Sequence, residues 1–79
     1  MQESEIRMLF DAGNLKSVTV VNAPMAKGYL LQFAAKSGEQ ILIEKQRGDL
    51  RTFKTLQGAI STAYEIGFRD IKVTLTEAP

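Results

Sequence analysis

The apolar positions of this chain change their period along its length, and the change divides it into elements. In residues 15–21, Val18 and Val20 fall on one side and Thr19 and Val21 on the other, within a run rich in β-branched residues; this predicts a strand. Tyr29, Leu31, Phe33 and Ala35 then share one side of a second strand, and Leu30, Gln32, Ala34 and Lys36 share the other. A tight reversal at Ser37 and Gly38 leads into Ile41, Ile43 and Lys45, alternating with Leu42 and Glu44, so the two runs read as a β-hairpin. Pro24 and Gly28 mark the loop before it.

The period then shifts. Leu56, Ala59, Ile60, Ala63 and Ile66 recur at helical spacing behind Thr55, an N-cap residue, and ahead of Gly67, which suits the C′ position, with Phe68 placed for the accompanying apolar contact. Gly58, inside the first turn, reads as a mark of close helix–sheet packing. A last strand follows, with Ile71, Val73 and Leu75 alternating with Lys72, Thr74 and Thr76. Residues 50–53 predict a brief edge strand after the turn at Gly48.

The N-terminus supports two readings. Ile6, Met8 and Phe10 alternate as a short strand would, whereas Ser4, Ile6, Leu9 and Phe10 fit the start of a helix. Asp11, Ala12, Gly13 and Asn14 form a turn in either case. The expected fold class is therefore α+β: a mostly antiparallel sheet of four or five strands, with one C-terminal amphipathic helix packed on one face. The order is β-β-β-β-α-β, or α-β-β-β-α-β if the first segment is helical. Residues 1–5 read as a flexible polar arm and residues 6–77 as a single domain.

Size and composition narrow the function. At 79 residues there is room for one domain, which buries only about 60% of its unfolded surface. Neither cysteine nor histidine is present, so disulfides, the usual zinc ligand sets, and Ser-His-Asp or Cys-His catalysis are all excluded. Oligomerisation is the remaining support for so small a core, and a homodimer is expected. Leu30, Ala34 and Leu42, on the sheet face away from the helix, are its expected interface. Residues 1–10 lack the apolar stretch of a signal peptide and no run is long enough to cross a bilayer, so the expected location is cytoplasmic.

No phosphate-binding glycine loop or dinucleotide fingerprint occurs. Glu44 and Asp49 read as solvated charges rather than a catalytic pair. The chain is expected to bind rather than catalyse, without cofactor or metal. Ten basic and nine acidic residues leave a net charge of +1, so distribution matters more than total. Lys45, Arg47, Arg51 and Lys54 face a single acid, Asp49, within residues 45–54. With Phe53 interleaved and Arg69 and Lys72 possible neighbours across the fold, these cations suit phosphate contact and base stacking. The same residues also read as a charged edge that discourages aggregation. Tyr29 and Phe33 likewise read as core or, less simply, as a stacking platform.

Three stretches carry a resemblance: Leu9-Phe-Asp-Ala-Gly-Asn-Leu-Lys-Ser-Val-Thr-Val-Val21, Gln46-Arg-Gly-Asp-Leu-Arg-Thr-Phe-Lys-Thr-Leu56 and Glu65-Ile-Gly-Phe-Arg69. Together they resemble small plasmid-encoded ParC-type partition-associated proteins, across about residues 8–75. The resemblance implies an accessory role in plasmid maintenance, partition or regulation, through DNA or a DNA-bound partner protein. It implies no catalytic or ligand residues. The alternative from another class is a protein-only interaction module that engages a host or plasmid protein through its open sheet face.

Overall fold

In a computed structural model, which describes residues 1–23, 27–45 and 49–75, the chain forms two helices and four strands. In chain order they are α1 (Glu3–Asp11), β1 (Leu15–Asn22), β2 (Tyr29–Ala35), β3 (Gln40–Leu42), α2 (Leu56–Ile66) and β4 (Ile71–Thr74). The α+β class holds, with two corrections: the first element is a helix, and the sheet is mixed. Residues 1–5, read as a polar arm, carry the cap and first turn of α1. The Glu5 carboxylate accepts a hydrogen bond from the Gln2 backbone N–H at 3.0 Å, and Glu3 and Glu5 put negative charge at the positive end of the helix. Ile6 packs into the core at 0% exposure, whereas Met8 is 71% exposed. A strand would have put Ile6 and Met8 on the same face; the helix separates them.

The strand order is β3-β2-β1-β4. β1 and β2 are antiparallel, as are β2 and β3, and Gly38 turns the second hairpin at φ 97°. β4 runs parallel to β1, with Val18 opposite Ile71 and Val20 opposite Val73. The crossover helix is the reason. α2 starts where Phe53 pairs with Tyr29 at the head of β2 and ends where β1 begins. A strand that follows such a return must run in the direction of β1. Alternation alone carries no information about strand direction. Residues 50–53 make only single bridges, Leu50 to Glu44 and Phe53 to Tyr29, and β3 stops at Leu42, short of the expected Lys45.

Both helices lie on one side of the sheet. Val18, Val20, Leu31, Phe33, Ala35, Ile41 and Ile43 meet Ile6, Ala59, Ala63, Ile66 and Phe68 in one apolar cluster. Ala59 and Ala63 are both fully buried, and their small side chains let α2 lie close to the strands. Gly58 has a different role from the one its position implied. A Cβ there would meet only the Thr55 hydroxyl, at 3.1 Å, the same hydroxyl that caps α2 by accepting from the Gly58 N–H at 3.0 Å. Gly58 thus makes room for the cap. No helix is long and apolar enough to cross a membrane among the described residues.

Gly67 ends α2 at φ 136°, its N–H bonded to the carbonyls of Ala63 and Tyr64. A Cβ at this position would run into the Phe10 ring. Gly67→Ala should therefore destabilise the fold by about 1–3 kcal/mol, read as a lower urea midpoint with an unchanged m-value. Gly13→Ala, where a Cβ meets nothing within 4 Å, should cost less because only the positive φ is strained.

Candidate functional site

Beyond β3 the chain leaves the sheet and comes back. Lys45 donates from its backbone N–H to the Asp49 carbonyl at 2.7 Å, and Arg51 to the Ile43 carbonyl at 3.1 Å. Phe53 and Tyr29 then exchange backbone hydrogen bonds of 2.8 and 2.9 Å. This small excursion carries the basic segment singled out in the sequence; Arg47 lies outside the described residues.

Its cations have different environments. Lys45 and Lys54 are exposed. Arg51 is engaged: its Nη1 donates to Glu3 Oε1 at 2.8 Å, and its guanidinium lies 4.9 Å from the centre of the Phe53 ring. The second Glu3 oxygen takes Arg7 through Nε at 3.0 Å and Nη2 at 2.9 Å, and Arg7 reaches on to the Glu65 carbonyl at 3.2 Å. Burial acts to raise the Glu3 pKa, but the hydrogen bonds from Arg51 and Arg7, with their charges, outweigh it and hold the carboxyl below its ordinary value. Glu3, Arg7 and Arg51 line an open cleft of about 460 Å³ together with Ser4, Glu44 and Lys45.

Phe53 is 8% exposed and belongs to the core, so its ring packs inward under Arg51 instead of facing solvent for a base. Arg69 is separated from the segment altogether. It follows the far end of α2, whose eleven residues span roughly 16 Å. There its guanidinium stacks 4.2 Å from the Tyr64 ring centre and donates to the carbonyls of Tyr64 and Phe68 at 3.4 and 3.3 Å.

The structure thus divides the expected site and adds to it. Arg69 shares a cleft of about 260 Å³ with Lys16, Lys72 and Asp70, floored by Phe10 and Phe68. The three cations outnumber the one acid. Lys72 is an expected neighbour of Arg69; Lys16 is a new one, because the parallel register that sets β4 against β1 has no sequence signature. Among the described residues the ion pairs between side chains are Arg7–Glu3 and Arg51–Glu3. Lys16, Lys45, Lys54, Arg69 and Lys72 are in none of them.

The opposite sheet face departs from the expected apolar interface. Leu30 is only 3% exposed within one chain, and Ala34 and Leu42 are half-buried. Gln32 lies between them and donates to Gln40 Oε1 at 2.8 Å, with Thr19 and Lys72 continuing the same row. Among the described residues no group of three or more Asp, Glu, His or Cys converges as a metal site. No protein-family model, curated protein or solved structure matches the chain.

Two outcomes follow from the Glu3 clamp. Arg51→Ala should lower unfolding stability by about 1 kcal/mol through loss of a partly exposed ion pair and a cation–π contact, whereas Lys54→Ala should stay within about 0.5 kcal/mol; paired urea titrations distinguish them. The Glu3 pKa is lower in the folded chain, so in that interval the folded state binds fewer protons and stability rises with pH. The stabilisation is complete above about pH 4.5, the ordinary value, and is lost as pH falls through the depressed one. The urea midpoints of Glu3→Gln and the unaltered chain should therefore differ at pH 7, and the difference should shrink as the pH falls through the depressed Glu3 value.

Proposed function

We propose that this chain is a small binding module that acts in an accessory role in plasmid maintenance or regulation by contacting DNA phosphates, directly or beside a DNA-bound partner. The observation that carries the reading is the division of its cations. Glu3 absorbs Arg7 and Arg51, while Lys45 at the Glu3 cleft, Lys54 just ahead of α2, and Lys16, Arg69 and Lys72 beyond its other end stand exposed outside any ion pair among the described residues. Phosphate contact needs such cations, because a guanidinium already held by a carboxylate has less to offer a second anion.

The resemblance to ParC-type proteins supports the same reading. Each of its three stretches contributes one of these cations: Lys16 from residues 9–21, Lys54 from residues 46–56 and Arg69 from residues 65–69. The competing idea of an apolar docking face draws less support, since Leu30 is buried and a glutamine pair crosses the middle of that face.

The test is fluorescence anisotropy with a labelled duplex across 50–200 mM salt. The unaltered chain should bind with a log–log salt slope that scales with the number of phosphates neutralised. Lys45→Ala with Lys54→Ala, and Lys16→Ala with Lys72→Ala, should each flatten that slope by about 2 and weaken binding to unrelated sequences alike. No binding by the unaltered chain at 50 mM salt, or an unchanged slope in both double variants, would overturn the reading.

A further inference from the structure

The two edges of the sheet are treated differently. At the β3 edge the Met1 carbonyl accepts from the Glu44 N–H at 2.8 Å, and Gln2 bridges Glu44 in parallel fashion. The first residues thus lie along that edge. β4 pairs with β1 on one side, and among the described residues nothing pairs with its other side.

An open strand edge is a row of unpaired N–H and C=O groups, and proteins guard it with short strands, lysines, prolines, bulges or charges that point inward. β4 has no proline, bulge or inward charge; its guards are its four-residue length and Lys72, which sits opposite Thr19 on the outer face. On the helix side Val73 is 41% exposed, and Leu75 just beyond the strand is 47% exposed. Only Ile71 of β4 packs against the core.

The segment Ile71-Lys72-Val73-Thr74-Leu75 is complementary to itself. Antiparallel pairing of two copies about a twofold axis at Val73 sets Val73 against Val73, Ile71 against Leu75 and Lys72 against Thr74. Apolar side chains then meet on the helix side, and no like charges face one another. A shift that centres the axis on Lys72 sets lysine against lysine, which is unfavourable. We infer that two copies of this chain pair edge to edge through β4, in the Val73-centred register, to form one continuous eight-stranded sheet.

This interface replaces the sheet face as the site of self-association. It completes the least covered strand of a domain small enough to gain from a second copy. The pairing does not depend on what the cations bind.

The test needs no nucleic acid. The chain has no cysteine, so Val73→Cys gives a unique attachment point for pyrene on the axis, and excimer emission reports two labels in contact. Light scattering at tens of micromolar should give twice the 8.8 kDa chain mass, with excimer emission from position 73. Thr74 is exposed, so its substitution probes register without disturbing the core. Thr74→Lys faces Lys72 twice and should raise the dimer dissociation constant by about two- to thirty-fold, whereas Thr74→Glu should lower it by a similar factor. A monomer at 100 µM, a dimer without excimer, or Thr74→Lys and Thr74→Glu shifting the constant in the same direction would each overturn the proposal.

Discussion

Phe68 lies between the rings of Phe10 and Phe33, at centroid distances of 4.8 and 5.8 Å, and through this contact three parts of the fold fix one another. Phe10 belongs to α1, Phe33 to the centre of the sheet, and Phe68 to the turn that follows α2. Burial of an aromatic side chain contributes about 1.5–3 kcal/mol, a large share of the stability of so small a domain. The turn reaches this position because Gly67, without a Cβ, lets its backbone pass against the Phe10 ring. Once Phe68 is seated, the chain leaves it beside the start of β1 and joins the sheet parallel to that strand.

The same turn decides the electrostatics. It places Arg69 beside Lys16 and Lys72, a helix length from Lys54 ahead of α2, and so separates cations that the sequence suggests lie together. The Glu3 clamp acts in the other direction. Glu3 and Arg51 are 48 positions apart in sequence, and their pairing takes the most central cation of the basic segment out of circulation. The pair connects α1 to the excursion between β3 and α2, and Arg7 extends the link to the end of α2. These arginines hold elements together, while the exposed lysines remain available.

How much of this was legible in the residues follows from the range of the forces involved. The limits and inner face of α2 were readable because their signals are local: Thr55 caps within three residues, the apolar stripe repeats within a turn, and Gly67 stops the helix where the backbone turns positive in φ. The inner faces of β1 and β2 were equally plain, since alternation reports side directly. The helical nature of α1 is not legible because two periodicities fit the same residues between Ser4 and Phe10, and the deciding contacts of Ile6 and Phe10 are tertiary. Strand direction, the Arg51–Glu3 pair and the grouping of Lys16 with Arg69 all depend on how distant segments dock. Phe53 was misplaced for a related reason: a lone aromatic among cations looks exposed until the Tyr29 bridge turns its ring inward.

A chain with a net charge of +1 has little long-range attraction for DNA, so any affinity must come from short-range contacts that displace counterions. Among the described residues, one copy offers the cleft cations Lys16, Arg69 and Lys72, with Lys45 and Lys54 exposed elsewhere. Edge pairing through β4 would bring together the ends that matter most, because Lys72 is part of the pairing strand and Lys16 and Arg69 lie beside its start. Two copies of that cleft would then flank one twofold axis on a continuous sheet. The symmetry of such an assembly matches the local twofold symmetry of a duplex backbone, and the number of available phosphate contacts doubles without any change in charge per chain. Under this arrangement affinity for DNA would rise steeply with protein concentration through the range where dimers form. A single chain acting alone would give a simple one-site isotherm, so the shape of the binding curve connects the strand edge to the cationic clefts.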